Sequence, residues 1–262
     1  RMNLGKTLKY AVAGLITAGI LTVLFLCGQK ASAAAKERTC SGVEVEFFGN
    51  DGAHFITGND VKSYILKGYK NVSGMRIEEI DLKEIENVLD KKSAILKSEA
   101  YTTKDGVLHI MISQREPVVR LVCGSNGWYA DDTGYIFPLQ KNYTSRVPIV
   151  DGEIPLRIKA DFMGIPSTAA ERQWLDGILG LVEFLGKNRK WDDSIAQIHV
   201  QDKGRLTLVP RKGRERFDLG RPENFEKKFA RIEKYYRFIA PAKEGKAYSY
   251  VNVSIDGQIY CR

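Results

Sequence analysis

YAVAGLITAGILTVLFLCGQ, residues 10–29, decides the architecture of this chain, because it is an uninterrupted run of twenty residues without a charged side chain. Lys9 and Lys30 flank the run. A helix rises about 1.5 Å per residue, so twenty residues reach about 30 Å, the thickness of the hydrocarbon core of a bilayer. Because a helix satisfies its own backbone hydrogen bonds, it can lie in lipid without a partner. The run predicts a single N-terminal transmembrane helix.

Two alternatives use the same run. The basic leader and the small residues at 31–35 also fit a cleaved secretory signal peptide, although the run is longer than the roughly 7 to 15 apolar residues of a usual signal core. A lipoprotein anchor at Cys27 is disfavoured by the bulky Phe25 and Leu26 before it. The uncleaved anchor is therefore the preferred interpretation.

The unequal lengths of the segments before and after the apolar run predict the orientation of the chain across the membrane. Residues 1–9 form a short cytoplasmic tail, residues 30–41 form a linker rich in small residues, and the large remainder is translocated. We expect the protein in the inner membrane as a single-pass protein, with its bulk in the periplasm or another extracytoplasmic space. Its ordinary composition indicates folded domains rather than disorder.

The net charge of +8 is concentrated in one part of the chain. Between Lys203 and Arg237 there are twelve Lys and Arg residues against five Asp and Glu residues. In a translocated domain such a patch would meet lipid headgroups, cell-wall polymer or an acidic partner rather than nucleic acid. The alternative is that these charges are the solvated faces of a hairpin and a helix.

The hydrophobic pattern after the linker indicates five elements. They are a strand at 43–47, a helix carrying Val61 and Ile65, a helix that begins at Asp81, and strands at 94–103 and 107–113. Gly106 allows the turn between the last two strands, because glycine adopts positive φ without a steric penalty. The order strand, helix, helix, strand, strand predicts a small α+β unit.

From Pro117 onward the pattern changes to short strands and turns, with two helices between them. We expect helices at 168–186 and from Pro222 onward, and strands at 118–123, 127–129, 135–137, 147–150, 195–201, 206–209, 214–219, 248–255 and 258–262. This order predicts a sheet with helices packed on one face, burying Val251, Val253 and Ile255. We expect the last strand at or near a sheet edge, where unpaired backbone groups can receive a strand of another chain.

Catalytic and metal-binding motifs are scarce. Asp132-Thr133-Gly134 matches the tripeptide of aspartic proteases, but those enzymes need two such aspartates, and a turn between strands explains the single tripeptide. No GxSxG or GxxxxGK[ST] motif is present. The four cysteines and three histidines show no metal-ligand spacing. The sequence predicts a protein that is not an enzyme and has no cofactor or metal.

Two motifs in the middle of the chain resemble a known family. QREPV at Gln114–Val118 is followed by GWYADDTGYIFPL at Gly127–Leu139. This pair resembles the QR-P motif and the Y-D-x-x-G-x-hydrophobic-P signature of the bacterial cell-division proteins FtsQ and DivIB. The layout is similar as well: a short tail, one span, a POTRA domain at 42–116 with the order β-α-α-β-β, and a mostly antiparallel β domain at 117–262 with helices packed on it.

The resemblance implies a scaffold of the divisome at the division septum. Its partners would be FtsB- and FtsL-like single-pass division proteins that link it to septal peptidoglycan synthesis, and other divisome components could bind the POTRA domain or the span. In the family the last strand of the β domain receives a strand of FtsB. We therefore predict partner-binding residues at Tyr248, Tyr250, Val251, Val253, Ile255, Gln258, Ile259 and Tyr260, with Arg211, Arg214 and Arg216 as a basic rim.

Two other functions remain open from the sequence. The chain could be another membrane-anchored POTRA protein that serves export or envelope assembly. It could also be a membrane-tethered protease that uses Asp132, which a substitution to Asn would test.

Overall fold

The computed structural model describes most of the chain, which divides into two compact units. The first unit runs to residue 49 and continues over Ile56–Ser113, and the second contains Phe55 and Gln114–Arg262. The described ranges are 14–27, 38–49, 55–140, 144–188, 190–191, 194–243 and 248–262.

The N-terminal helix, α1, covers residues 14–27. Among the described residues, no helix has both the length and the apolar character needed to cross a membrane. The predicted cytoplasmic tail at 1–9, both ends of the predicted span and most of the predicted linker lie outside the described ranges. The membrane anchor therefore stays a prediction.

The first unit has the predicted order of strand, helix, helix, strand, strand. Its three strands form a sheet in the order β1-β3-β2, and β1 pairs with β3 in parallel. The elements are β1 (Gly42–Phe48), α2 (Gly58–Gly68), a 3-10 turn (Ile77–Glu79), α3 (Leu82–Asp90), β2 (Ile95–Thr102) and β3 (Val107–Gln114).

Local chemistry explains where these elements begin and turn. Thr57 caps α2, because its hydroxyl accepts from the Asp60 backbone N–H while the Asp60 carboxylate accepts from the Thr57 N–H. Gly106 makes the turn between β2 and β3 with φ of 85°. A Cβ at this position would lie 2.6 Å from the Thr39 carbonyl oxygen, so the turn requires glycine for space as well as conformation.

Within the ranges described above, the second unit contains a nine-stranded sheet and two α-helices. Its elements are β4 (Pro117–Cys123), β5 (Asn126–Asp131), β6 (Ile136–Pro138), β7 (Ile149–Gly152), α4 (Ala169–Lys187), β8 (Ile195–Val200), β9 (Leu206–Pro210), β10 (Arg216–Gly220), α5 (Phe225–Lys234), a π-helical turn (Tyr235–Ile239), β11 (Tyr250–Asn252) and β12 (Tyr260–Cys261). The strand order is β12-β11-β10-β9-β8-β7-β4-β5-β6.

The sheet is mixed rather than purely antiparallel. Among the described strands, the pairs β7–β8, β10–β11 and β4–β7 are parallel, and the other five neighbouring pairs are antiparallel. Two of the parallel pairs enclose a helix in the chain, α4 between β7 and β8 and α5 between β10 and β11. A helical crossover returns the chain in the same direction, which makes the two strands that it joins parallel.

One face of the sheet forms the core with α4 and α5. Directly paired residues share a face, so Phe217 of β10 and Val251 of β11 both point to the helices, where Phe229 and Ile232 of α5 also lie in the core. On the opposite face the same two strands carry Asp218 and Asn252. At β10 and β11 the helix side of the sheet is therefore apolar and the other side is polar.

The C-terminal strands are shorter than predicted, and one expected core residue is exposed. Val251 and Val253 are fully buried as predicted, but Ile255 is 48% exposed. Strand β11 ends at Asn252, so the alternation that would direct Ile255 to the core no longer applies after it. Helix α5 also begins later than expected, at Phe225 instead of near Pro222, because Asn224 adopts a left-handed backbone conformation with φ of 55°.

Candidate functional site

The C-terminal edge of the nine-stranded sheet is the candidate site, and β12 is its outermost described strand. Strand β12 pairs with β11 in antiparallel register, with Val251 opposite Cys261 and Asn252 opposite Tyr260. Beyond β12, Arg262 continues the ladder, since its N–H donates to the Tyr250 carbonyl at 2.9 Å and its carbonyl accepts from the Tyr250 N–H at 3.1 Å. The strand is therefore attached to the sheet through one of its two sides.

The alternation of hydrogen bonds along β12 decides which backbone groups point outward. In an antiparallel pair, every second residue directs its N–H and C=O to the neighbouring strand. Because Arg262 bonds to β11, Tyr260 is directed to β11 as well, and the N–H of Ile259 is directed away. The Tyr260 side chain lies on the polar face and is 58% exposed, whereas Ile259 packs partly against the core.

A buried carboxylate organises the polar face beside this edge. Asp218 of β10 is 2% exposed, and its Oδ2 accepts from the Tyr250 hydroxyl at 2.7 Å and from Arg205 Nη2 at 2.8 Å. The same oxygen lies 3.3 Å from Asn252 Nδ2, and Oδ1 accepts from the Gly220 N–H at 2.8 Å. Burial, and then the hydrogen bond to Asp218, raises the pKa of Tyr250. Asp218 thereby links β10 to both polar side chains of β11.

A buried arginine on α5 holds the chain between β11 and β12. Arg231 donates from Nε to the Val253 carbonyl at 2.9 Å and from Nη1 to Asp256 Oδ1 at 2.8 Å. The Arg231 side chain is 11% exposed and the Asp256 side chain is 83% exposed. The hydrogen bond from Arg231 lowers the pKa of Asp256. Helix α5 thus fixes the turn that leads into the edge strand.

Tyrosines from the π-helical turn support the start of β11. Tyr235 is fully buried, and its hydroxyl donates to Glu215 Oε1 at 3.3 Å. The ring centroids of Tyr235 and Tyr248 lie 6.5 Å apart, and those of Tyr235 and Phe217 lie 5.5 Å apart. Burial, followed by the nearby Glu215 carboxylate, raises the pKa of Tyr235 well above its ordinary value. Tyr248, which we predicted as a partner-binding residue, therefore also packs on the residues that hold β11 in place.

The predicted site residues occupy different positions around this edge. Tyr250, Ile259 and Tyr260 lie on or beside the last two strands, whereas Val251 and Val253 are core residues. Ile255 and Gln258 are exposed in the turn between the strands. The hypothesis that these residues bind a partner remains a prediction.

The three basic residues of the predicted rim are all exposed but are placed differently. Arg216 lies opposite Tyr250 in the pairing of β10 with β11, and Arg214 precedes β10. Arg211 follows β9 and lines a cavity of about 540 Å³ whose other walls include Trp191, Phe217 and Tyr236. Only Arg216 therefore sits within a strand next to the edge strands.

Sequence reasoning missed the residues that hold the edge in place, Asp218, Arg205 and Arg231. A charged residue between Phe217 and Leu219 was a usable signal, because it indicates a strand with one polar face. No comparable signal marks Arg231, whose two acceptors lie more than twenty residues further along the chain.

The motif with the aspartic-protease tripeptide forms a structural turn. The side chain of Asp131, not that of Asp132, makes the hydrogen bonds that hold this turn. Asp131 Oδ1 accepts from the N–H groups of Thr133 and Tyr135, each at 3.0 Å. Oδ2 accepts from Arg115 at 2.9 Å. Asp132 is exposed at the tip of the turn. The geometry favours a structural interpretation of this tripeptide.

Comparison with protein families assigns both units. Residues 116–262 match the family model described as FtsQ/DivIB, C-terminal related, which covers more than half of the chain. Residues 38–113 match a POTRA-like domain. No curated protein matches the chain.

Proposed function

The chain belongs to the FtsQ/DivIB, C-terminal related family, and from this premise we propose that it is a membrane-anchored scaffold of the cell-division machinery without enzymatic activity. It holds division proteins together at the septum and connects them to the synthesis of septal peptidoglycan. The apolar run at 10–29 anchors it in the inner membrane, with the two folded units outside the cytoplasm.

One observation carries the proposal: β12 ends the strand order of the large sheet. An edge strand offers main-chain groups to which an extended segment of another chain can add, and alternate side chains then supply specificity. Asp218 and Arg231 hold β11 and its following turn through buried polar contacts. A fixed edge reduces the entropy lost on binding, because the receiving strand is already ordered.

The partners that fit this edge are single-pass division proteins of the FtsB and FtsL type. A single-pass partner in the same membrane would present its extracytoplasmic segment to the folded units of this chain. The exposed Arg216 beside β11 and Tyr260 on the polar face would contact the side chains of an added strand. Arg211 and Arg214 would form ion pairs with acidic residues of the partner beyond the added strand. Such ion pairs weaken as the salt concentration rises.

The test is a proline in the edge strand. The N–H of Ile259 is directed away from β11, so Ile259→Pro removes a donor for an added strand without breaking the ladder to β11. We expect full-length protein in detergent to lose affinity for the FtsB- and FtsL-type partners by about tenfold or more, the equivalent of about 1.4 kcal/mol.

Ile259→Val is the matched control, because it keeps the donor and most of the side chain. It should bind within a factor of about two of wild type, since a lost methylene at a half-buried site costs little. If the proline variant and the valine variant bind the partner with equal affinity, the partner does not bind at β12.

A second candidate function, in export or envelope assembly, rests on the match of residues 38–113 to a POTRA-like domain. Localisation separates the two functions. A fluorescent fusion that gathers at the division septum, with filamentous cells on depletion, supports the scaffold, whereas an even distribution around the envelope with normal division supports the second function.

A further inference from the structure

Three potential metal ligands meet on one face of the small sheet. Glu44 and Glu46 of β1 point to the same side, and His109 of β3 lies directly opposite Glu44 in the register. His109 Nδ1 lies 3.6 Å from Glu44 Oε2 and 4.0 Å from Glu46 Oε1. One ligand atom of each residue lies within 4.8 Å of the other two.

These separations suit a cation between the three side chains. Zinc binds histidine nitrogen and carboxylate oxygen at about 2.0–2.2 Å, so two donors of a tetrahedral ion lie about 3.4 Å apart. His109 Nδ1 is slightly further than this from Glu44 Oε2, at 3.6 Å, and from Glu46 Oε1, at 4.0 Å. The carboxylates are exposed and can adjust, with side-chain exposures of 64% for Glu44 and 60% for Glu46.

The imidazole ring of His109 is held in one orientation. The ring of Tyr101 stacks on it in parallel, with the centroids 5.0 Å apart and an interplanar angle of 7°. Thr103 Oγ1 lies 3.4 Å from Nε2 of the ring. The His109 side chain is only 16% exposed, so the ring is fixed before any ligand arrives.

Thr103 holds one nitrogen of the ring and leaves the other facing the carboxylates. Its hydroxyl donates to the carboxylate of Asp105, and its oxygen lies 3.4 Å from Nε2 of His109. Nδ1 is buried and makes no hydrogen bond within the described residues, although Glu44 and Glu46 lie beside it. A cation between these three side chains would give the nitrogen and both carboxylates a common partner.

From this geometry we propose that Glu44, Glu46 and His109 form a binding site for a divalent transition-metal ion of the Zn²⁺ class. His109 ligates through Nδ1 and each glutamate through one carboxylate oxygen, which leaves a fourth position for water. Thr103 is a positioning residue, since it orients the ring from the other nitrogen. The nitrogen ligand favours Zn²⁺ over Mg²⁺, which prefers an all-oxygen site.

Calorimetric titration of metal-free, full-length protein in detergent with ZnCl₂ tests the site. We expect one site that His109→Gln and the double variant Glu44→Gln/Glu46→Gln both abolish. Thr103→Val should weaken it by about 10- to 100-fold, the usual effect of an outer-shell partner. MgCl₂ should give no saturable heat. Glu99→Gln is the control, because Glu99 lies on β2 and pairs with Lys97.

Thermal unfolding supplies an independent readout. Zn²⁺ at about 100 times its Kd should raise the Tm of the small unit by roughly 10–20 °C in wild type and in Glu99→Gln, but not in His109→Gln. The metal-free Tm of each variant shows whether it is folded. Zinc binding that His109→Gln leaves unchanged would place the ion elsewhere, for example on the cysteines, and the absence of binding in wild type would also overturn the proposal.

Discussion

Arg115 Nη1 donates to Asp131 Oδ2 at 2.9 Å, and both side chains are nearly buried, with exposures of 12% and 5%. The guanidinium carbon of Arg115 also lies 3.5 Å from the ring centroid of Tyr135. One arginine just before β4 therefore fixes the turn after β5. The two motifs on which the family resemblance rests are in direct contact, and their shared role is structural.

Removal of this arginine should destabilise the large unit. Arg115→Ala leaves the Asp131 carboxylate buried without its cation, which costs about 3–5 kcal/mol in comparable buried pairs. Urea unfolding followed by tryptophan fluorescence measures the loss, because Trp128 precedes the turn on β5. Arg115→Lys should recover part of the stability by restoring the charge. A loss below about 1 kcal/mol for the alanine variant would mean that the turn does not depend on the pair.

The hydroxyl of Tyr250 should contribute measurably to stability. It donates to the buried Asp218 at 2.7 Å, and hydrogen bonds to charged groups are worth about 1.5–3 kcal/mol. We expect Tyr250→Phe to lower the free energy of unfolding by about 1–2 kcal/mol. Tyr260→Phe is the control, because this tyrosine is largely exposed and its change should stay within about 0.5 kcal/mol. Equal effects would contradict a special role for the Asp218 contact.

Loss of Arg231 should loosen the C-terminal edge more than the rest of the sheet. Arg231→Met keeps much of the side-chain volume but loses the bonds to the Val253 carbonyl and to Asp256. We expect faster amide exchange in residues 253–262 and weaker partner binding, with little change at β8 and β9. Lys234→Met, at an exposed position of the same helix, should exchange as the wild type does.

The contrary result for Arg231 is equally clear. Faster exchange spread evenly over all nine strands would mean that Arg231 stabilises the whole unit and does not specifically hold the edge.

Alkaline pH should destabilise the large unit through Tyr236, a partly exposed tyrosine near the Glu215 carboxylate. Burial, followed by the Glu215 carboxylate, raises the pKa of Tyr236 from 10.0 to about 12. A raised folded-state pKa contributes stability that is complete below pH 10 and is lost as the pH rises towards 12, because the unfolded tyrosine ionises first. Urea midpoints measured between pH 9 and pH 12 should fall, and the fall should be smaller in Tyr236→Phe. Identical pH profiles would exclude this contribution.

Local patterns were enough to predict most elements of the chain. Helix α4 begins where Thr168 caps it, with Glu171 completing a capping box, and its apolar stripe includes Trp174, Ile178 and Leu181, all buried. The order of elements in the small unit was likewise predicted correctly. These features depend on residues a few positions apart, so propensity, capping and periodicity decide them.

The limits of strands and helices were predicted less well. The strand expected at 248–255 covers only Tyr250–Asn252, which leaves Ile255 exposed. An alternating pattern continues through Ile255 in the sequence, but Arg231 of α5 binds the Val253 carbonyl. A contact from another element thus replaces a strand bond that the local pattern could not exclude.

The sequence by itself determined the apolar run at 10–29, the order of the elements, and a last strand whose place at a sheet edge agrees with the structure. Only the tertiary structure decided the three parallel pairs of the large sheet, the contacts of Tyr250 and Arg205 with Asp218, and the placement of His109 opposite Glu44. The reason is the range of the forces involved. Periodicity and capping act within a few residues, whereas register and buried polar contacts depend on packing between segments that are distant in the chain.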